Sequence, residues 1–251
     1  MRRNPLIVPI VVLFVLAFIA PQIASVRQLG LLNGPEAEVL GDSVESTEFT
    51  LSDSPQSQLE IVQKRIPLTE TRIELTKEYT KMHYGFEAVY MDSPKVVVVH
   101  WTAGGSIESV YNYFAKDTIS VNDEFHQNNG RVNVGSQFLV DRDGSIYQLF
   151  DETFIARHCI GMNFHAIGIE NIGGVDGKED LTEEQLQANI LLIKYLEAKY
   201  PTINLVIGHL ESAGFVDYSE YYTELIDGYI TLKADPGKEF IRKVRQGVAK
   251  N

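Results

Sequence analysis

The sequence predicts an α/β fold in which a mixed central β-sheet is flanked by helices. Two short apolar runs, at 95–100 and 203–209, are typical of buried strands. Between them lie a hairpin pattern at 138–149 and a long amphipathic helix pattern at 182–199. Strands that alternate with helices favour a sheet with helices packed on it. The composition, 44% hydrophobic over 251 residues, is that of a globular protein with a sizeable core.

The chain begins with a predicted export segment over residues 1–26. Two arginines precede a nearly uninterrupted apolar run at 6–20, a pattern typical of a cleaved signal peptide or of a short membrane anchor. A cut after Ala24 would place the large Gln22 where a small residue is needed, so the sequence favours an uncleaved signal-anchor. We therefore expect an exported domain that is membrane-anchored and faces the periplasm or cell wall, or is secreted if the segment is cleaved.

Residues 27–60 are predicted to form an acidic, flexible linker. From position 28 to position 63 the chain has seven acidic residues and neither lysine nor arginine, with Gly, Ser and Pro scattered between them. Such a tether would let an anchored domain reach outward. The folded domain is predicted over 61–251, with an early helix at 71–82.

The hairpin and the long helix have clear local signals. The hairpin turn is predicted between Asp141 and Gly144. Thr182 is the predicted N-cap of the helix, with Gln185 reaching back to complete a capping box, and the helix is expected to end near Lys199. One apolar face of this helix is formed by Leu186, Ile190, Ile193 and Leu196.

Histidine closes both apolar runs, and an aspartate lies in a turn motif near the C-terminus. His100 and His209 each end a predicted strand, which would hold both imidazoles at a rim of the sheet. Asp235 lies in an Asp-Pro-Gly sequence, where proline favours extended backbone before it and glycine permits a sharp turn. Catalytic zinc typically takes three such ligands and one water. The three residues together predict a zinc site, although a lone histidine at a strand end is usually a core or rim residue.

A glutamate interrupts the apolar strand predicted at 166–174. Burial of Glu170 without a partner would be costly, and a nearby metal or its water is a partner that would make this carboxylate useful. Glu170 is therefore the predicted general base. The alternative is a hydrogen-bonded glutamate at a strand end.

Six segments match, in order, the motifs of one protein family. They lie at 99–103, 138–148, 156–163, 166–171, 207–209 and 233–237. On these segments the chain resembles the zinc-dependent N-acetylmuramoyl-L-alanine amidases, whose fold is shared with peptidoglycan recognition proteins. The resemblance spans roughly residues 95–237, and its ordering is more specific than ligand spacing alone. It implies an amidase-like fold with a single catalytic domain.

The resemblance also implies roles for individual residues. The metal ligands of the family fall on His100, His209 and Asp235, and its catalytic glutamate falls on Glu170. The family lysine falls on Lys233, where a cation would stabilise the oxyanion formed during attack on an amide carbonyl. A solvated loop charge is the alternative for this lysine.

Three further positions are implied to bind substrate, namely His158, Trp101 and Asn163. For His158, a fourth metal ligand and a purely structural histidine are open alternatives. Its neighbour Cys159 is the single cysteine, which excludes an internal disulfide. A Cys-His nucleophile is disfavoured, because adjacent residues on a strand point to opposite faces. His83, His126 and His165 are expected to be surface or packing residues.

The chain departs from the family between its second and third predicted ligands. His209 and Asp235 are 26 positions apart, which is longer than the spacing typical of the family. The intervening segment 210–232 has five aromatic residues among several acidic ones. These rings either line a groove and stack on sugar faces or pack on the domain, and the second alternative is favoured.

The sequence thus predicts zinc-dependent hydrolysis of the amide between N-acetylmuramic acid and L-alanine, in peptidoglycan or its fragments. The alternatives are a non-catalytic peptidoglycan-binding module on the same fold and a metallo-amidase for another acylated peptide. The formal net charge of −12 argues against nucleic acid as a partner. It also gives no bulk attraction to an anionic wall, so recognition should depend on contacts in a groove.

Overall fold

A computed structural model describes residues 59–120 and 122–249, and its architecture is α/β. The strands are β1 (Ile61–Gln63), β2 (Val96–Trp101), β3 (Phe138–Val140), β4 (Ile146–Gln148), β5 (Ala166–Asn171) and β6 (Leu205–Gly208). The helices are α1 (Glu70–Tyr84), α2 (Ile107–Phe114), α3 (Glu124–Gln127), α4 (Glu183–Lys199) and α5 (Lys238–Ala249). Short 3₁₀ segments occur at Val175–Gly177 and His209–Phe215.

The predicted export segment and nearly all of the linker lie outside the described residues. Within 59–120 and 122–249, no helix is both long enough and apolar enough to cross a membrane. The predictions for residues 1–58 therefore stay predictions.

The six strands form one mixed sheet in the order β1-β4-β3-β5-β2-β6. Strand β2 pairs in parallel with β5 on one side and with β6 on the other. The hairpin strands β3 and β4 are antiparallel, as predicted, while β3 is parallel to β5. Because β5, β2 and β6 run in the same direction, their carboxyl ends meet at one edge. The register places His100 opposite Glu170 and Val99 opposite Gly208.

The two faces of the sheet are covered differently. Alternate residues of β2 and β5, among them Val97, Val99, Ile167 and Ile169, pack against α4 and α5 through residues such as Leu192 and Phe240. On the other face Val96, Val98 and Ala166 pack with Cys159, Met162 and Tyr222. By the same alternation, His100 and Glu170 face this second side, away from α4 and α5.

Local sequence signals account for the helix ends. Helix α1 begins after Thr69, whose hydroxyl accepts a hydrogen bond from the N–H of Arg72, and ends at Gly85 in a left-handed conformation. Helix α4 begins at the predicted capping box, in which Thr182 and Gln185 cap each other's backbone N–H groups. The predicted boundaries of both helices are confirmed to within two residues.

Candidate metal centre

The three predicted metal ligands come from separate parts of the chain and meet at the carboxyl edge of the sheet. His100 lies near the end of β2, and His209 directly follows β6. The turn that carries Asp235 is joined to this edge because its carbonyl accepts a hydrogen bond of 2.8 Å from the N–H of Leu210. Gly208 makes room for the turn, since a Cβ there would lie 2.8 Å from Cδ of Pro236.

Nδ1 of His100 lies 2.9 Å from Nδ1 of His209 and 3.2 Å from Oδ2 of Asp235. The third separation, from Nδ1 of His209 to Oδ2 of Asp235, is 3.1 Å. Ligand atoms about 2.1 Å from a tetrahedral zinc ion lie about 3.4 Å from one another, so two imidazoles and a carboxylate this close fit one such ion. Within residues 59–120 and 122–249, this is the one group of three His, Cys, Asp or Glu side chains that could hold a metal.

The carboxylate of this cluster is held in its charged form. All three side chains are buried. Although burial raises the pKa of Asp235, its close contacts with the rings of His100 and His209 outweigh that effect and lower the pKa well below its usual range. A buried carboxylate and two imidazole nitrogens together form a suitable set of ligands for a divalent cation.

A further histidine, His158, contacts the side of the His100 ring that faces away from His209 and Asp235. Its Nδ1 lies 3.1 Å from Nε2 of His100, and its Nε2 lies 3.2 Å from the carbonyl oxygen of Ala166. Burial lowers the pKa of His158 well below its usual value, and the neighbouring His100 lowers it further. His158 is therefore a neutral ring wedged between β5 and a predicted ligand.

Glu170 has the environment expected of a proton acceptor. It is partly exposed, but its Oε2 is buried and has no hydrogen-bond partner among the described residues. Burial raises the pKa of Glu170 to about 7, and the charge of Asp235 acts in the same direction. His100 and Lys233 oppose this increase. A carboxyl group with this pKa can both accept and release a proton near neutral pH.

All eight predicted site residues line one cleft of about 330 Å³, the five above together with Trp101, Asn163 and Lys233. Lys233 is exposed and makes no hydrogen bond or ion pair within the described part of the chain. Trp101 is half-buried against Gly174, where a Cβ would come within 2.4 Å of the indole. The roles of these residues stay predictions.

Asn163 is buried, and its side chain organises the turn that holds His158. Its Oδ1 accepts hydrogen bonds from the N–H groups of His158 and Cys159, at 2.9 and 2.7 Å. Its Nδ2 donates to the hydroxyl of Tyr79 at 3.1 Å. These bonds make Asn163 a structural residue of the cleft wall, whatever its contact with a substrate.

Cys159 is not a suitable nucleophile in this cleft. Cys159 lies in a turn and not in a strand, so the prediction that Cys159 and His158 point to opposite faces of a strand was based on the wrong local structure. It is 1% exposed, and burial raises the pKa of its thiol to about 12. The thiol is therefore protonated at neutral pH, and Nδ1 of His158 is occupied by His100.

A second part of the cleft, formed by Arg157, Asp123 and His126 among others, was not predicted from the sequence. Arg157 is 5% exposed and donates to four backbone carbonyls and to the hydroxyl of Tyr229. His126 Nδ1 lies 2.7 Å from a carboxylate oxygen of Asp123. The only available signal was the position of Arg157 beside His158 in a family motif.

The aromatic segment 210–232 both packs on the domain and contributes to the cleft. Tyr222 is buried against Gly161, and Tyr229 is buried while lining the cleft. Tyr218 is 57% exposed. Of the histidines expected to be structural, His83 binds both carboxylate oxygens of Glu224 in this segment. The packing alternative thus holds for part of the segment.

The fold and the site define a class of protein, namely an α/β domain with a candidate His-His-Asp metal centre beside a carboxyl group that titrates near neutral pH. Residues 90–238 match the family model described as N-acetylmuramoyl-L-alanine amidase. This match covers more than half of the chain. The chain therefore belongs to the N-acetylmuramoyl-L-alanine amidase family.

Individual relatives share shorter stretches. The endolysin of Escherichia phage T7 is 33% identical over 81 residues, which cover 31% of this chain and 54% of the endolysin. The endolysin of Klebsiella phage KP32 is 29% identical over 90 residues, which cover 34% of this chain and 60% of that protein. The chain thus spans little more than half the length of these relatives.

Solved structures with a similar fold include two kinds of protein. The endolysin LysCS, an N-acetylmuramoyl-L-alanine amidase from Clostridium intestinale URNW, is 23% identical, with coverage of 61% of this chain and 82% of LysCS and a TM-score of 0.42. Bumblebee PGRP-SA is 18% identical, with coverage of 74% and 93% and a TM-score of 0.43.

Proposed function

We propose that this protein is a zinc-dependent N-acetylmuramoyl-L-alanine amidase, which hydrolyses the amide between the lactyl group of N-acetylmuramic acid and L-alanine of the stem peptide. The observation that carries this proposal is the meeting of His100, His209 and Asp235 in the cleft that Glu170 also lines, in a chain that belongs to the amidase family. The substrate is peptidoglycan or soluble fragments of it.

The three ligand side chains would hold the zinc ion, with the donor set of two imidazoles and one carboxylate. When bound, zinc acts as a Lewis acid toward a carbonyl and lowers the pKa of water at the site. The protein supplies the remaining functions through side chains that face the same cleft.

Glu170 is the proposed general base. Its carboxyl group would accept the proton of the attacking water and then release it to the amine of the departing peptide. A pKa of about 7 suits both steps, Glu170 lines the cleft, and its Oε2 makes no hydrogen bond within the described residues. Its place opposite His100 in the register of β2 and β5 brings it to the predicted ligands.

Lys233 is the proposed electrostatic partner of the oxyanion. Its ammonium group has no carboxylate partner among the described residues, so no ion pair competes for it. A cation beside the amide carbonyl would stabilise the negative charge that develops on oxygen during attack. Its position two residues before Asp235 couples it to the ligand turn.

We further propose that this activity takes place outside the cytoplasm. The support is the predicted export segment at 1–26 and the acidic linker at 27–60. With a formal net charge of −12, the protein would depend on the cleft and not on bulk charge to recognise its substrate.

Mass spectrometry of purified muropeptides, incubated with the protein with and without a zinc chelator, tests the proposal. We expect chelator-sensitive release of stem peptide that begins with L-alanine. Intact muropeptides in the presence of folded, zinc-loaded protein would refute the amidase proposal and favour a non-catalytic muropeptide-binding module. Chelator-resistant release of the same product would instead refute the dependence on zinc.

A further inference from the structure

We infer that His158 is a positioning residue that fixes the tautomer of His100 through a relay of two hydrogen bonds that starts at the backbone of β5. The relay runs from the carbonyl of Ala166 through the His158 ring to the far side of the His100 ring. The effect of the relay on metal binding rests on the proposed function, whereas the assignment of the His100 tautomer rests only on the hydrogen bonds.

The positions of the protons follow from the donors and acceptors. The carbonyl of Ala166 can only accept, so Nε2 of His158 must carry hydrogen. The described residues place no carboxylate within hydrogen-bond distance of His158, so we take the ring as neutral, with a lone pair on Nδ1. Nε2 of His100, 3.1 Å away, must then be the donor. When the His100 ring has a single proton, that proton therefore lies on Nε2.

This assignment leaves a lone pair on Nδ1 of His100, the atom that faces His209 and Asp235. The competing tautomer would place hydrogen on Nδ1, where it could donate to Oδ2 of Asp235 at 3.2 Å. That charge-assisted bond would use up the lone pair and the carboxylate oxygen that a metal ion needs. The relay therefore disfavours the tautomer in which His100 and Asp235 bind each other and leave no free ligand atoms for a metal ion.

A second observation supports a dedicated position for the His158 ring. Gly168 lies in the middle of β5, and a Cβ there would come within 2.9 Å of Cγ and 3.0 Å of Nδ1 of His158. Gly168 is not in a left-handed conformation, so backbone freedom does not explain this glycine. Its function is close approach, because the ring lies directly on the strand between Ala166 and Glu170.

Three variants of the full chain separate the relay from simple packing. His158→Gln can keep both bonds, since its amide oxygen accepts from His100 and its amide nitrogen donates to Ala166. His158→Leu keeps similar bulk and neither bond. Gly168→Ala displaces the ring from the strand side without changing His158 itself.

Zinc affinity, measured by competition with a chromogenic chelator, and the tautomer of His100 in the metal-free protein, measured by long-range ¹⁵N NMR, are the two readouts. His165, whose Nε2 donates to the carbonyl of Tyr221 at 2.8 Å, is an internal reference for an undisturbed fold. We expect His158→Leu and Gly168→Ala to weaken zinc binding by about 10–100-fold and to shift His100 toward the Nδ1–H form. His158→Gln should restore the Nε2–H form and most of the affinity.

Retention of the Nε2–H form of His100 in His158→Leu, with the His165 signal unchanged, would overturn the inference. Equal loss of zinc affinity in the Gln and Leu variants, with no change of tautomer, would also overturn it, since His158 would then act by packing alone. If the wild-type chain binds no zinc but its His100 tautomer responds to His158→Leu, the relay is supported and the proposed zinc dependence fails.

Discussion

The attachment of segment 210–232 to the domain should weaken in acid because of His165. This side chain is 4% exposed, and its Nε2–H donates to the carbonyl of Tyr221 in that segment. Burial lowers the pKa of His165 to about 4, with Lys95 adding to the effect and the Tyr221 carbonyl opposing it. The unfolded chain has an ordinary histidine pKa of about 6.5.

The sign of the effect follows from this difference. Between about pH 6.5 and pH 4 the unfolded chain binds a proton at His165 that the folded chain does not bind. The contribution of His165 to the free energy of unfolding is therefore complete above pH 6.5 and is lost as the pH falls toward 4. A shift from about 6.5 to about 4 corresponds to about 3 kcal/mol.

The perturbation is His165→Gln, whose amide can still donate to the Tyr221 carbonyl but does not titrate. Urea unfolding, followed by circular dichroism with a chelator present throughout, gives the free energy of unfolding of both proteins at each pH. We expect the wild-type value minus the variant value to decrease by about 3 kcal/mol between about pH 7.5 and pH 4. A difference that stays constant over this range would refute the burial argument.

Three further outcomes test the proposed centre. Glu170→Gln should keep stoichiometric zinc and lose about 10²–10⁴-fold in kcat, measured by release of stem peptide, whereas near-normal turnover would contradict the general-base role. His209→Ala should lose zinc on dialysis, measured by metal analysis, and a variant that keeps one zinc per chain would show that the ligand set is different. Gly208→Ala would press a Cβ against Pro236 beside Asp235, so we expect a loss of about 1–3 kcal/mol in unfolding free energy and weaker zinc binding. Unchanged values of both would show that the turn can move without affecting the site.

Several features of the fold could be predicted from local sequence because local forces decide them. The capping box of Thr182 and Gln185 fixed the start of α4, and the Asp-Arg-Asp-Gly sequence fixed the turn between β3 and β4. Two candidate ligands could also be predicted, since His100 lies near the end of one apolar strand and His209 directly follows another. In each case the signal lies within a few residues of the feature it predicts.

The side chains around the candidate site could be predicted less well from the sequence. Arg157 is buried and donates hydrogen bonds to backbone carbonyls within 126–132 and to the Tyr229 hydroxyl. No local sequence pattern predicts these contacts. Tyr222 is buried and Tyr218 is exposed, although both lie in the same polar and aromatic segment. Which ring is buried depends on the shape of the surface it meets, in this case the space left by Gly161.

The sequence by itself determined the chemical groups of this protein and the strand ends that carry them. Only the tertiary structure decided their convergence, because His100 lies 109 positions from His209 and 135 from Asp235 in the chain. Their meeting depends on the strand order β5-β2-β6 and on a turn docked against Gly208. The same order placed His158 between the backbone of β5 and the ring of His100, because long-range pairing, and not local propensity, sets which side chains share an edge of the sheet.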